Sequence, residues 1–318
     1  MMNKLKQKIH ELTEKYSIVD IAYKSAHGVK VHFRKKLNDI DFAKKYYLER
    51  TRKILNLEHP LTFDEKQWWL KLYYRDPLMT ICADKFLIRN YVNECGLGHI
   101  LNDLYGVYAC AEEIDLEKLP EKFILKTNHG CGGNFICQDK NSFQKDKVFK
   151  KLNKLLKTNY YDQSREWVYR DIPPRIIAEK LLINTNGDPL VDYRMLCFDG
   201  KCRCVFVDID TCDETGKHKV NAKRNVYDEN MNLINIQVTR ERFDPSLVSK
   251  PLQFNKMREY AEILSKPFPF CRVDFYYVDE RIILGEMTFF HAGGCSTISP
   301  PEIAYEMGEW IKLAPRNN

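Results

Sequence analysis

The sequence predicts an α+β protein: a mostly helical start, then two α+β portions rich in antiparallel hairpins. Three observations predict it. Up to about residue 95, apolar side chains recur at helical spacing. From Gly96 onward, short apolar runs broken by glycine, proline and polar residues take over. Two pairs of those runs are joined by two-residue polar turns, Asp199-Gly200 and Asp279-Glu280, as tight hairpins require. The expected divisions are 1–75 for the helical N-terminal region, 76–178 for the first α+β portion with a glycine-rich loop, and 179–318 for the second.

In order along the chain, residues 3–16 place Leu5, Ile9 and Leu12 on one helical face. Residues 39–56 form a second helix, with Ile40, Phe42, Tyr46, Tyr47, Ile54 and Leu55 apolar. Thr62-Phe63-Asp64-Glu65 reads as a capping box opening a third helix that buries Trp68, Trp69, Leu72 and Tyr73. Asp84 caps a helix through Phe86, Leu87, Tyr91 and Val92. A short strand at 105–108 follows, and Leu119-Pro120 breaks the chain. Residues 123–126 are a buried strand running into the glycine-rich 128–134. A Lys-rich helix covers 142–157, and Pro173-Pro174 is a second break. Strands are expected at 175–179, 190–198, 202–210, 272–278 and 281–286, with a helix at 251–265.

With 318 residues and 44% hydrophobic content, the chain can bury a sizeable core. Lys plus Arg number 50 and Asp plus Glu 44, a net charge of +6. That mild excess suits phosphate-bearing or acidic ligands and lacks the concentrated basic patch of a nucleic-acid binder. Eleven cysteines are scattered without a CxxC pair, which fits a reducing compartment. No signal-like apolar core opens the chain, and no run nears the ~20 apolar residues of a membrane span. A cytoplasmic protein without a transmembrane segment is expected.

Four constellations could carry chemistry. Lys126 ends a buried strand beside glycines that let backbone N–H groups approach phosphate oxygens, although a plain glycine-rich turn would look the same. Asp274 and Glu286 lie on consecutive strands and can face each other across a hairpin. Two such carboxylates call for a cation, and Mg²⁺ is usual beside nucleotide phosphates. Arg272, two residues before Asp274, projects on the same face and could neutralise a phosphate or an oxyanion. Asp208-Ile209-Asp210 offers a DxD pair, but a strand end explains it as well, and substitution of Asp208 is expected to matter much less than that of Asp274. Glu179, ending an apolar strand, could accept from an adenine amino group. His129 could serve as a base or hydrogen-bond its own loop, and Asn-His-Gly suits a turn. His291 has the same two readings, with substrate contact as its functional one.

These pieces occur in one order: FDEKQWWLKLYYRDPL, ADKFLIRNYV, LPEKFILKTNHGCGGN, PRIIAEKLL, VDYRMLCFDGK, FVDID, FPFCRVDFYYVDERIILGEMTFF and Gly308-Glu309-Trp310. In that order the chain resembles the TupA-like ATP-grasp family, found among bacterial surface-polysaccharide genes, over roughly residues 55–315. The resemblance implies an ATP-grasp fold with nucleotide between two α+β subdomains, and ATP and Mg²⁺ as cofactors. It implies Lys85 and Lys126 at the ATP phosphates, with Gly130, Gly132, Gly133 and Asn134 closing over them. Glu179, Lys180 and the backbone near Leu181 would hold adenine, and Asp192 the ribose. Asp274 and Glu286 would bind magnesium, with Thr288 where many ATP-grasp ligases carry Asn. Arg272 and Lys126 would be catalytic, and His129, read from the sequence by itself, joins them if it serves as the base. The implied reaction joins a small-molecule or glycan carboxylate, such as a uronic acid, to an amino acid or other amine through an acyl phosphate, alongside polysaccharide-assembly enzymes. Two rivals stand: a glycosyltransferase using Asp208 and Asp210, and an ATP-grasp kinase acting on a glycan.

Overall fold

The structure, a computed structural model, describes residues 36–314; the helix expected at 3–16 lies outside the described residues. Helix α1 (Asp39–Thr51) starts at Asn38, whose side chain accepts from the Asp41 N–H at 2.8 Å. It ends earlier than expected, at Arg52 in the left-handed conformation (φ 64°), so Ile54 lies outside it and 86% exposed. Phe42 and Tyr46 pack on the buried Trp68 of α2 (Phe63–Tyr73). The capping box forms as expected, with Glu65 accepting from Thr62 N–H at 2.9 Å and Thr62 Oγ1 accepting in return. Helices α3 (Pro77–Ala83) and α4 (Ile88–Glu94) follow, with Asp84 accepting from the N–H groups of Phe86 and Leu87 between them.

The first sheet contains β1 (Leu104–Tyr108), β2 (Phe123–Thr127), β3 (Asn134–Cys137) and β4 (Ile176–Lys180), all antiparallel in the order β1-β4-β2-β3. The period of two sends Phe123 and Leu125 to the core against Phe149 and Leu152 of α5 (Lys145–Leu156), and turns Lys126 the other way. A short turn of helix, α6 (Tyr161–Ser164), leads towards β4. Beside it, Arg165 pairs with Asp39 of α1 at 3.0 Å, donates to the Leu37 carbonyl at 3.0 Å and lies 4.5 Å from the Phe42 ring centroid.

The second sheet runs β11-β10-β5-β6-β7-β8. Its strands are β5 (Asp192–Phe198), β6 (Lys201–Ile209), β7 (Lys223–Asp228), β8 (Leu233–Ile234), β10 (Phe270–Val278) and β11 (Arg281–Thr288). The pair β9 (Gln237–Val238) and β12 (Ile298–Ser299) stands apart. Both expected hairpin turns are present, with positive φ at Asp199 and Gly200 (46° and 71°) and at Asp279 and Glu280 (47° and 60°). Two left-handed residues match the strand twist of a two-residue hairpin. Helix α7 (Phe254–Ser265) covers one face with Phe254, Met257, Ala261 and Leu264. Residues of α2, α3 and α4 share this sheet's core. Helix α8 (Glu302–Glu309) closes against α2; a Cβ on Gly308 would stand 2.0 Å from the Leu61 carbonyl oxygen, so only glycine fits.

Helix α2 buries two charges. Lys71 Nζ donates to the carbonyls of Gly293 (2.8 Å) and Ser164 (3.3 Å) and lies 3.7 Å from the Trp68 ring centroid. Burial pushes it down to about 8. Asp64 accepts from Ser296 N–H at 2.7 Å, and burial pushes its carboxyl up to about 7. An unfolded Asp titrates near ~4. The folded state therefore holds the extra proton in between, and this contribution to stability is lost as pH rises from about 4 through 7. Asp64→Asn is expected to flatten that part of the melting-temperature profile. An unaltered profile would remove the assignment.

Candidate functional site

A cleft opens between the two sheets. Lys85, Lys126 and Glu179 line one side, and Tyr276, Glu286 and Met287 the other. Lys126 Nζ pairs with Glu179 Oε2 at 2.8 Å, and Arg89 approaches the same carboxylate at 3.8 Å. Lys85 Nζ donates to the Gly130 carbonyl at 2.6 Å, tying the glycine loop to the cleft.

The loop is pinned at its root. Asn128 is fully buried; its amide donates to Asp84 (3.0 Å) and the Pro173 carbonyl (3.1 Å), and its side-chain oxygen accepts from Arg175 N–H at 2.7 Å. Gly132 and Gly133 are left-handed (φ 83° and 75°), and a Cβ on Gly133 would meet Leu155 and Thr127 at 2.9 Å. His129 stands 3.2 Å from the Asn128 side-chain oxygen and 3.2 Å from the Leu155 carbonyl of α5, so its ring N–H has an acceptor on either side. Burial lowers its pKa. That geometry favours the hydrogen-bonding role of His129 at the root of the loop over its role as a base.

Opposite lies the charged face of the second sheet. Asp274 stands directly across from Glu286 on β11 and from Arg194 on β5. Arg272 grips Asp274 with two bonds of 2.6 Å, reaches Glu286 at 3.0 Å and donates to Thr288 Oγ1 at 3.0 Å. Burial pushes the Asp274 carboxyl up to about 6 despite Arg272 and Arg194. For Glu286, burial is outweighed by Lys85, Arg272 and Arg194, which hold its carboxyl low. The Glu286 side chain is 41% exposed and faces the cleft. Among the described residues no group of three or more His, Cys, Asp or Glu is gathered for a metal. Two facing carboxylates with a hydroxyl still fit Mg²⁺, which commonly takes one or two carboxylates and leaves other positions to phosphates and water.

Several expected residues sit elsewhere. Leu182 lines the cleft, whereas Lys180 and Leu181 border a neighbouring depression, with Lys180 paired to Asp103 at 3.5 Å and its carbonyl accepting from Asn102. Asp192 is buried, accepting from the Thr211 hydroxyl at 2.8 Å and pairing with Arg194 at 3.4 Å. The DxD pair does not exist as a site. Asp208 is fully buried and receives Arg224 twice at 2.6 Å, Arg240 at 2.6 Å and Arg194 at 3.0 Å. Asp210 lies past the end of β6 with φ 55°, next to Lys219. His291 is also buried, between Arg272 at 2.9 Å and Arg224 at 3.5 Å, and burial with those cations pushes it well down; it serves as a spacer rather than a substrate contact. Sequence reasoning missed Arg89, Tyr169, Tyr276 and Arg194; for Arg194 the signal was its alternation with Asp192 on a strand beside Asp274.

If Lys126 meets ATP phosphate as the resemblance implies, Lys126→Ala weakens ATP binding about 10- to 100-fold through the loss of one charge-assisted contact. Calorimetric titration reads it, and unchanged affinity would remove the phosphate role.

No curated protein matches the chain. Among solved structures, a D-alanine–D-alanine ligase from Bacillus anthracis is 16% identical, with a TM-score of 0.39 over 66% of this chain and 57% of that one. The chain thus covers less than two thirds of that structure. The corresponding ligase from Helicobacter pylori is 13% identical, with a TM-score of 0.40 over 79% and 69%. A biotin carboxylase from Campylobacter jejuni is 14% identical, with a TM-score of 0.41 over 74% and 47%. The TupA-like ATPgrasp family matches residues 65–312, and the chain, with its two antiparallel sheets facing across a lysine- and carboxylate-lined cleft, belongs to that ATP-grasp family.

Proposed function

We propose that the protein is an ATP-dependent carboxylate–amine ligase working through an acyl phosphate. The observation that carries this reading is the convergence, in an ATP-grasp chain, of Lys85 and Lys126 on one cleft wall with Glu286, backed by Asp274 and Arg272, on the other. Lys126 would turn from Glu179 to the phosphates and leave the Glu179 carboxylate for the adenine amino group. Asp274 and Glu286 would hold Mg²⁺, which offsets phosphate charge during transfer. Arg272 would steady the transferred phosphoryl group and the oxyanion that follows. The 128–134 loop would exclude water from the acyl phosphate. The amine then forms the C–N bond as inorganic phosphate leaves.

We assign the carboxylate to a uronic acid or a polysaccharide, and the amine to an amino acid or similar compound, within surface-polysaccharide assembly in the cytoplasm. The family membership supports this context. The test measures free phosphate from ATP and Mg²⁺ with uronic acids and UDP-uronic acids crossed against amines. Phosphate that requires both partners supports the ligase. ATP consumption without free phosphate favours the glycan kinase and overturns the ligase.

A further inference from the structure

A second groove, of about 1000 Å³, runs along β3 between α5 and the hairpin at 211–219. It begins beside the cleft: Gly132, Gly133 and Asn134 line it, and Asn134 stands directly across from Lys126 in the β2–β3 pair. The hairpin wall is firmly seated. β3 is the edge strand of its sheet, and Ile136 N–H donates to the Thr215 carbonyl at 3.3 Å. A Cβ on the buried Gly216 (φ 86°) would stand 3.1 Å from the Asn134 carbonyl oxygen, so glycine lets the hairpin sit this close. Asp213 closes the hairpin by accepting from the N–H groups of Thr215 and Lys217 at 2.9 and 3.0 Å.

The opposite wall is cationic. Lys147, Lys151 and Lys154 follow at i, i+4 and i+7 on one face of α5, over about 10 Å of helix axis. All three are exposed, and none forms an ion pair among the described residues. Lys147 donates to Gln144 Oε1 at 3.0 Å, and Lys151 Nζ lies 5.9 Å from the ring centroid of the half-buried Phe135. Lys217 adds a cation on the hairpin side. Two carboxylates also line the groove: Asp139, which accepts from Asn141 N–H at 2.9 Å, and Glu214. Four lysines against two carboxylates leave the groove positive. Like charges one helical turn apart repel each other, and an anion lying between the walls relieves that repulsion.

We propose that this groove holds the acid substrate as an extended chain of uronic-acid units, with the reacting carboxylate at the Gly133–Asn134 end and further carboxylates along the α5 lysines. The identity of the reacting carboxylate rests on the ligase reading; the affinity of the groove for an anionic glycan does not. The volume stands at the top of the range for small-molecule sites, which leaves room for more than one sugar ring. A single uronic acid meets only one end of the row of lysines, so the groove selects the chain over the monomer. Its concave shape and the Phe135 ring along it suit a chain of sugars rather than a flat lipid surface.

The test titrates the full chain with hexagalacturonate and with galacturonic acid by calorimetry, then measures phosphate release with each as the acid. Wild type is expected to bind the hexasaccharide about 10-fold tighter than the monomer or better. Lys147→Glu with Lys151→Glu is expected to raise the hexasaccharide Kd and KM about 10-fold, with kcat and the KM for ATP within about twofold. Glu matches Lys in helix propensity, so the helix persists. Lys145→Glu with Lys150→Glu makes the same change of charge on α5 away from the groove, and is expected to leave hexasaccharide binding within about threefold. Equal weakening by both double variants, or equal wild-type affinity for hexasaccharide and monomer, overturns the proposal. So does sedimentation with phosphatidylglycerol vesicles that both double variants lose, which assigns the charge to a membrane. Hexasaccharide binding that needs Lys147 and Lys151, without phosphate release with any acid, keeps the groove and defeats the ligase reading. Phosphate release that neither double variant alters keeps the ligase reading and defeats the groove.

Discussion

Glu286→Gln is expected to lower ATP-dependent phosphate release by about 10³-fold or more while leaving the fold intact. The variant keeps the side chain's shape and an oxygen for Arg272, which now lies 3.0 Å away. It removes the negative charge that a cation needs at the cleft edge. Because the side chain is 41% exposed, the folded state loses little. Asp274→Asn should be as severe for turnover and worse for folding, since the buried Arg272 guanidinium then loses a two-bond partner. Phosphate release and thermal melting, measured side by side, separate the two effects. Near-normal turnover in both variants would remove the magnesium assignment.

Asp208→Asn is expected to destabilise the protein by about 3–5 kcal/mol, because it leaves buried guanidinium groups without their counter-charge. Arg224 and Arg194 are nearly enclosed, and Arg240 is partly so. Burial tends to push the Asp208 carboxyl up, but the three arginines overcome it and hold the group down at about 2. The expectation that Asp208 matters much less than Asp274 concerned activity; for stability Asp208 is central to the sheet. Urea unfolding is the measurement. A midpoint close to wild type would show that the arginines find other partners.

The parts legible in the sequence were local ones. The facing of Asp274 and Glu286 followed from strand alternation on either side of a two-residue turn, and β10 and β11 pair in that register. The capping box at Thr62 was legible for the same reason. The partners of Asp208 were not, because they come from β5, β7 and the chain after β9, and nothing in their spacing marks a shared point. Lys126 and Glu179 meet across neighbouring strands 53 residues apart in sequence. Past the end of β4 the alternation no longer applies, and Leu182 borders the cleft while Leu181 borders the neighbouring depression. The end of α1 was missed because Arg52 adopts a left-handed conformation usually marked by Gly or Asn.

The clasp between α1 and Arg165 bears on where the working unit begins. The family match starts at residue 65, but Arg165 is held by Asp39, the Leu37 carbonyl and the Phe42 ring. A chain trimmed to the matched span would keep the residues that line the cleft and lose the brace on the segment that leads into β4. Such a trimmed chain is expected to melt at a lower temperature than the full one, so the stable folding unit extends further at its amino-terminal side than sequence likeness alone indicates.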